Sequence, residues 1–98
     1  VKVVFTPLAA RQIDQLHGYI TANASEERAD EYVGRIIDYC EGLSLFPERG
    51  RARDDIFVGL RVIGFERRVM IAFVITEDTI LIEGVFYGGQ ELDGAFSL

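Results

Sequence analysis

Arginine and tyrosine are the side chains of this sequence with chemistry to offer. Arg49, Arg51 and Arg53 alternate in a polar stretch, Arg61 and Arg68 lie in two successive aliphatic runs, and Tyr87 closes the next one. Guanidinium groups grip carboxylates and phosphates through paired hydrogen bonds. A phenol stacks, caps an apolar edge or helps to move a proton. Other chemistries lack their parts. One histidine, His17, and one cysteine, Cys40, supply neither a CxxC nor an HxxxH pattern, so no metal is expected. Glycine-rich phosphate cradles are missing, and no cofactor is expected. With a single histidine there is no Ser–His or Cys–His pair to propose. His17 reads as a polar surface residue and Cys40, on an apolar stripe, as a buried inert thiol.

Charge narrows the field further. The formal net charge is -6. Six arginines face three acids between Arg49 and Arg68, while the remaining residues hold 13 acids against four bases. A general nucleic-acid binder is basic overall, and this chain can present only a basic patch, suited to an anionic or acidic partner. The 98 residues suffice for one domain, 1–98, with a modest core. Neither a signal peptide nor a lipidation motif is visible at the N-terminus, and a lone cysteine forms no internal bridge. A cytoplasmic setting is therefore expected. No apolar run approaches the roughly 20 residues of a membrane helix.

The elements that would position these residues are legible from periodicity. LRVIGFERRVMIAFVITEDTILIEGVFY, Leu60 to Tyr87, reads as three antiparallel strands broken at Glu66-Arg67 and Glu77-Asp78. Two-residue turns would pair Phe65 with Arg68 and Thr76 with Thr79. Leu60, Val62, Val69, Ile71, Phe73, Ile75, Ile80, Ile82 and Phe86 would then share an uncharged core face. Arg61, Ile63, Phe65, Arg68, Met70, Ala72, Val74, Leu81, Glu83, Val85 and Tyr87 would share a mixed face open to a partner, with Ile63, Phe65, Met70 and Val85 lacking cover within the chain. On that register Arg61, Ala72 and Glu83 form one row, with Arg61 and Glu83 close enough to pair.

Upstream, VKVVF reads as a short strand. Thr6-Pro7 has helix-start chemistry, and Ala9, Ile13, Leu16 and Ile20 mark one helical face ending near Ala22-Asn23. Ser25 caps a second helix, with Glu26 and Glu27 in its first turn and Ala29, Tyr32, Val33, Ile36, Ile37, Cys40 and Leu43 on its stripe. Tyr19 and Tyr39 lie off the stripes, free to anchor a partner. Pro47 to Gly59 is a loop with a strand at its end, and the tail Glu91 to Leu98 is expected to be mobile. The order is β-α-α-β-β-β: an α+β fold in which a helical hairpin packs on one face of a mainly antiparallel sheet of four to five strands.

The run LSLFPERGR, then GLR, then the aliphatic hairpin, then VFYGGQELDGAF resembles the RelE/ParE superfamily, toxins of type II toxin–antitoxin (plasmid stabilisation) systems. The likeness covers nearly the whole chain, including the two-helix segment that starts at TPLAARQID. It implies a small toxin held inactive by an antitoxin whose C-terminal segment folds as it wraps the toxin, so that the two form a hetero-oligomer. RelE-like members cut messenger RNA on the ribosome with lysine, arginine and tyrosine or histidine on the open sheet face. ParE-like members poison DNA gyrase and lack that cluster.

Against the ribonuclease pattern, the single lysine, Lys2, is in the first strand, and Glu83 stands where many relatives carry a basic residue. Arg61 fits the GLR position, and Arg51 and Arg53 are rough substitutes for the missing loop lysines. A ParE-like toxin acting on DNA gyrase by protein contact is the expectation, with no catalytic residues. Its target- or antitoxin-binding set is Arg49, Arg51, Arg53, Arg61, Ile63, Phe65, Arg68, Met70, Val85, Tyr87, Tyr19 and Tyr39. One rival is a ribosome-dependent mRNA endoribonuclease carried by Arg61, Arg68 and Tyr87. Another is a binding module that has lost toxicity and only sequesters an antitoxin.

Overall fold

The structure, a computed structural model, describes residues 1–46 and 48–88. Strand β1 (Lys2–Phe5) leads into α1 (Pro7–Asn23) and α2 (Glu26–Gly42); β2 (Arg51–Ala52), β3 (Leu60–Phe65), β4 (Val69–Ile75) and β5 (Thr79–Tyr87) follow. The sheet order is β1-β5-β4-β3-β2, parallel between β1 and β5 and antiparallel elsewhere. The α+β hairpin-on-sheet expectation holds. The strand expected at the end of the loop lies instead near its start, as the two residues of β2.

Both helices begin where their caps predict. Thr6 Oγ1 accepts from the N–H of Ala9 at 3.1 Å, and Ser25 Oγ from that of Arg28 at 3.0 Å, each satisfying a donor that the first turn leaves open. His17 Nε2 and Asp30 Oδ1, 2.7 Å apart, tie the two helices together. Past the end of β1, the N–H of Val85 donates to Gln12 Oε1 at 2.7 Å, which fixes α1 against β5.

The strand register departs from the simplest hairpin. Phe65 pairs with Val69 rather than Arg68, so Arg68 joins the turn and β3 slips by one residue against β4. Because side chains alternate, one residue of slip exchanges the faces of the whole strand. Leu60 and Val62 turn away from the helices, and Ile63 and Phe65 turn toward them. The register between β4 and β5 is as expected from Ile75–Ile80 to Phe73–Ile82. A bulge between Ala72 and Phe73 then shifts it, so Ala72 pairs with Gly84 and Ile71 with Val85. Past it Val85 and Tyr87 join the helix side and Phe86 leaves it.

Two apolar layers result. Val69, Ile71, Phe73, Ile80, Ile82 and Val85 meet the apolar stripes of the helices, chiefly Ala9, Ile13, Leu16, Val33, Ile36, Cys40 and Leu43. On the opposite face Leu60, Val62, Ala72 and Phe86 form a second buried cluster, covered by Ile56 and Phe57 from the loop between β2 and β3. Ile63, Phe65 and Val85 therefore pack on the main core and Met70 on the second cluster, so the expectation that these four lack cover within the chain is corrected.

Cys40 lies fully buried in the main core, where burial first, and then the neighbouring Glu41, pushes its thiol up to about 12. Only the unfolded chain then ionises near the ordinary thiol value of about 8.5. Stability is expected to be indifferent to this group below that value and to fall as pH rises from there toward 12. Near neutral pH, Ellman's reagent is expected to leave the native protein unmodified and to titrate one thiol after denaturation. Rapid reaction of native protein would show that the core opens at α2.

Candidate functional site

The end of the helical hairpin and the β3–β4 turn enclose an open groove of about 540 Å3. Ile20 and Ala24 close it on the α1 side, and Arg28, Glu31, Tyr32 and Arg35 project from α2. Glu66, Arg68 and Tyr87 form the opposite wall. Tyr87 is the hub of its aromatic lining: its ring lies 6.2 Å from that of Tyr19 and meets Tyr32 edge-on at 6.5 Å. Beneath, Phe65 touches both Tyr32 at 6.2 Å and Tyr39 at 5.1 Å.

One ion pair fixes the turn that makes this wall. Arg35 Nε and Nη2 donate to the two carboxylate oxygens of Glu66 at 3.1 and 3.0 Å, while the guanidinium lies 5.1 Å from the centre of the Tyr32 ring. Glu66 and Arg67 have φ of 48° and 65°, a left-handed conformation that costs an ordinary L-residue about 1–2 kcal/mol. The fork from α2 holds this glycine-free turn in place. Burial, then the negative charge of Glu66, lifts the Tyr32 phenol above its usual range, so it remains a hydrogen-bond donor. Its hydroxyl is buried and has no hydrogen-bond partner among the described residues.

The structure divides the residues singled out in the sequence. Arg68 and Tyr87 line the groove, Tyr19 packs against the Tyr87 ring outside that lining, and Tyr39 and Phe65 lie behind it. Arg61 is elsewhere, roughly 16 Å from Tyr87 by counting four residues along β3 and two strands across. Its guanidinium donates to the carbonyls of Glu48 at 2.6 Å, Arg49 at 3.1 Å and Gly50 at 3.3 Å, clamping the segment that leaves α2. Arg61 pairs in register with Phe73, and Phe73 with Ile82, while Glu83 falls in the bulge. The expected Arg61–Ala72–Glu83 row is thus not formed, and neutralisation by Glu83 no longer argues against a ribonuclease.

Arg49 and Arg51 are exposed beside that clamp, with Arg49 placed 5.1 Å over the Phe46 ring. Arg53 forks Asp55 at 2.9 Å through two hydrogen bonds, which hold the Asp55 carboxyl below its usual range. Arg28, Glu31, Tyr32, Arg35 and Glu66 were not anticipated as site residues. Their signal was present, since 28, 31, 32 and 35 share one face of α2 by i, i+3, i+4 and i+7 spacing. The tail Glu91 to Leu98 lies outside the described residues.

The model of the family described as ParE toxin of type II toxin-antitoxin system, parDE, matches residues 3–92. The chain belongs to the ParE toxin family. Comparison with curated proteins gives no match. Among solved structures, this ParE-family toxin is similar to a chain of the chromosomal ParDE TA system from P. aeruginosa. The TM-score is 0.77 at 20% identity, over 90% of this chain and 96% of that one. The expected membership in a type II toxin–antitoxin family therefore stands, and at that identity the structural likeness speaks for the fold.

Proposed function

We propose that this ParE-family toxin is held inactive by an antitoxin in a hetero-oligomer and that, once free, it acts by binding DNA gyrase. The observation that carries this reading is the family match over residues 3–92. The arrangement of arginines supports contact with protein rather than cleavage of RNA: Arg61 is spent on three carbonyls, away from Arg68 and Tyr87. A proton-transfer and phosphate-binding set has to converge on one scissile bond. Leu45 and Phe46, 75% and 60% exposed, stand with Arg49 and Arg51 after α2 and make an apolar and cationic surface for the target.

The test is a supercoiling assay with purified gyrase. Micromolar toxin is expected to inhibit supercoiling and to stabilise the cleavage complex, and the protein encoded by the neighbouring gene is expected to relieve both. Intact supercoiling with no cleavage complex would overturn the target. Codon-linked cuts in ribosome-bound message, lost in a folded Tyr87→Phe variant, would put the ribonuclease in its place.

A further inference from the structure

We propose that the groove between the helical hairpin and the β3–β4 turn is a carboxylate subsite, built to seat one aspartate or glutamate of the antitoxin beside an apolar side chain. This rests on the antitoxin reading above and adds the chemistry by which one part of that partner is recognised.

Arg35 is committed to Glu66 through both arms of its fork. Arg28 and Arg68 line the same groove, and among the described residues neither side chain has an ion pair or hydrogen bond. Two guanidinium groups uncommitted among the described residues, in one concave site, attract an anion, and their planar geometry suits a carboxylate.

The Tyr32 hydroxyl lies beneath the groove with no acceptor among the described residues, within electrostatic reach of Arg35, Arg68 and Glu66. A buried donor without a partner is unfavourable, and an incoming oxygen relieves it. Glu31 and Glu66 also line the groove, and the chain carries -6 overall, so an extended polyanion meets repulsion where a single carboxylate does not. Ile20 and the Tyr87 ring give the flanking apolar residue its contact.

The test uses the full-length toxin and the protein encoded by the neighbouring gene, with affinity read by calorimetry. Arg28→Gln and Arg68→Gln are each expected to weaken binding at least tenfold, and added salt is expected to shrink the difference from wild type. Tyr32→Phe separates a binding role from a structural one. It is expected to leave the melting temperature of the free toxin unchanged or raised while weakening binding severalfold. Double-mutant cycles between Arg68 and each acidic residue of the antitoxin's C-terminal segment are expected to single out one coupled carboxylate.

Wild-type binding with all three variants within twofold, or with no coupled carboxylate, overturns the subsite and leaves the antitoxin reading intact. No binding by wild type removes the antitoxin reading, and the subsite with it. A single-stranded RNA bound with the same dependence on Arg28 and Arg68 would assign the groove to nucleic acid and overturn the proposal.

Discussion

Replacing Arg61 with alanine is expected to destabilise the fold by about 2 kcal/mol, from the loss of charge-assisted hydrogen bonds to exposed carbonyls that water then takes over. One guanidinium ties down three successive carbonyls, those of Glu48, Arg49 and Gly50, and so fixes how the chain leaves α2 and enters β2. Arg61→Lys is expected to recover little, because an ammonium lacks the planar fork. Urea unfolding checks this: the midpoint should fall while the slope stays constant. An unmoved midpoint would mean that other contacts hold the segment and that Arg61 is available for another task.

The same clamp explains the second large effect. Gly50→Ala is expected to cost about 3 kcal/mol, combining left-handed strain with overlap against fixed backbone. Gly50 has φ +82°, and a Cβ there would collide with the carbonyl oxygen of Val62 and lie 3.2 Å from Cβ of Ile63. Gly59 is the built-in control. Its φ is +90°, yet a Cβ would meet nothing within 4 Å. Gly59→Ala should therefore show the conformational cost alone, about 1–2 kcal/mol. Equal losses at the two positions, read from urea midpoints, would refute the steric account.

Much of the fold was legible because local chemistry and periodicity agree. Thr6-Pro7 and Ser25 start helices that end at Asn23 and Gly42, and the stripes through Ile13, Leu16, Val33, Ile36 and Cys40 are the buried faces. What escaped was register. No Asn-Gly or Asp-Gly fixes the β3–β4 turn; Glu66 and Arg67 take left-handed φ values instead, held by Arg35 from a helix far away in sequence. The bulge opposite Ala72 and Phe73 likewise has no marker in a run that is apolar on both faces. Such a strand reads the same in either register, because the loop residues Ile56 and Phe57 cover its second face and period two loses its contrast.

The candidate site was legible in part for the same reason. Arg68, Tyr87 and Tyr19 were visible as reactive or exposed side chains, but their neighbours Tyr32 and Arg35 were absorbed into the helix reading. Arg61 was misassigned because its partners are backbone carbonyls, which no side-chain pattern announces.

The parallel pairing of β1 with β5 constrains how the molecule is made. Strand β1 waits for β5, since Lys2 to Phe5 pair with Thr79 to Ile82. The helical hairpin needs only neighbours in sequence, but β5, which helps to bury the stripe of α1, is synthesised after β1, α1 and β4. Closing so long a loop is the slow, entropically costly step of such a topology. On the ribosome, helices precede sheet closure, and a product stalled before Ile80 lacks both the parallel edge and the Tyr87 wall of the groove.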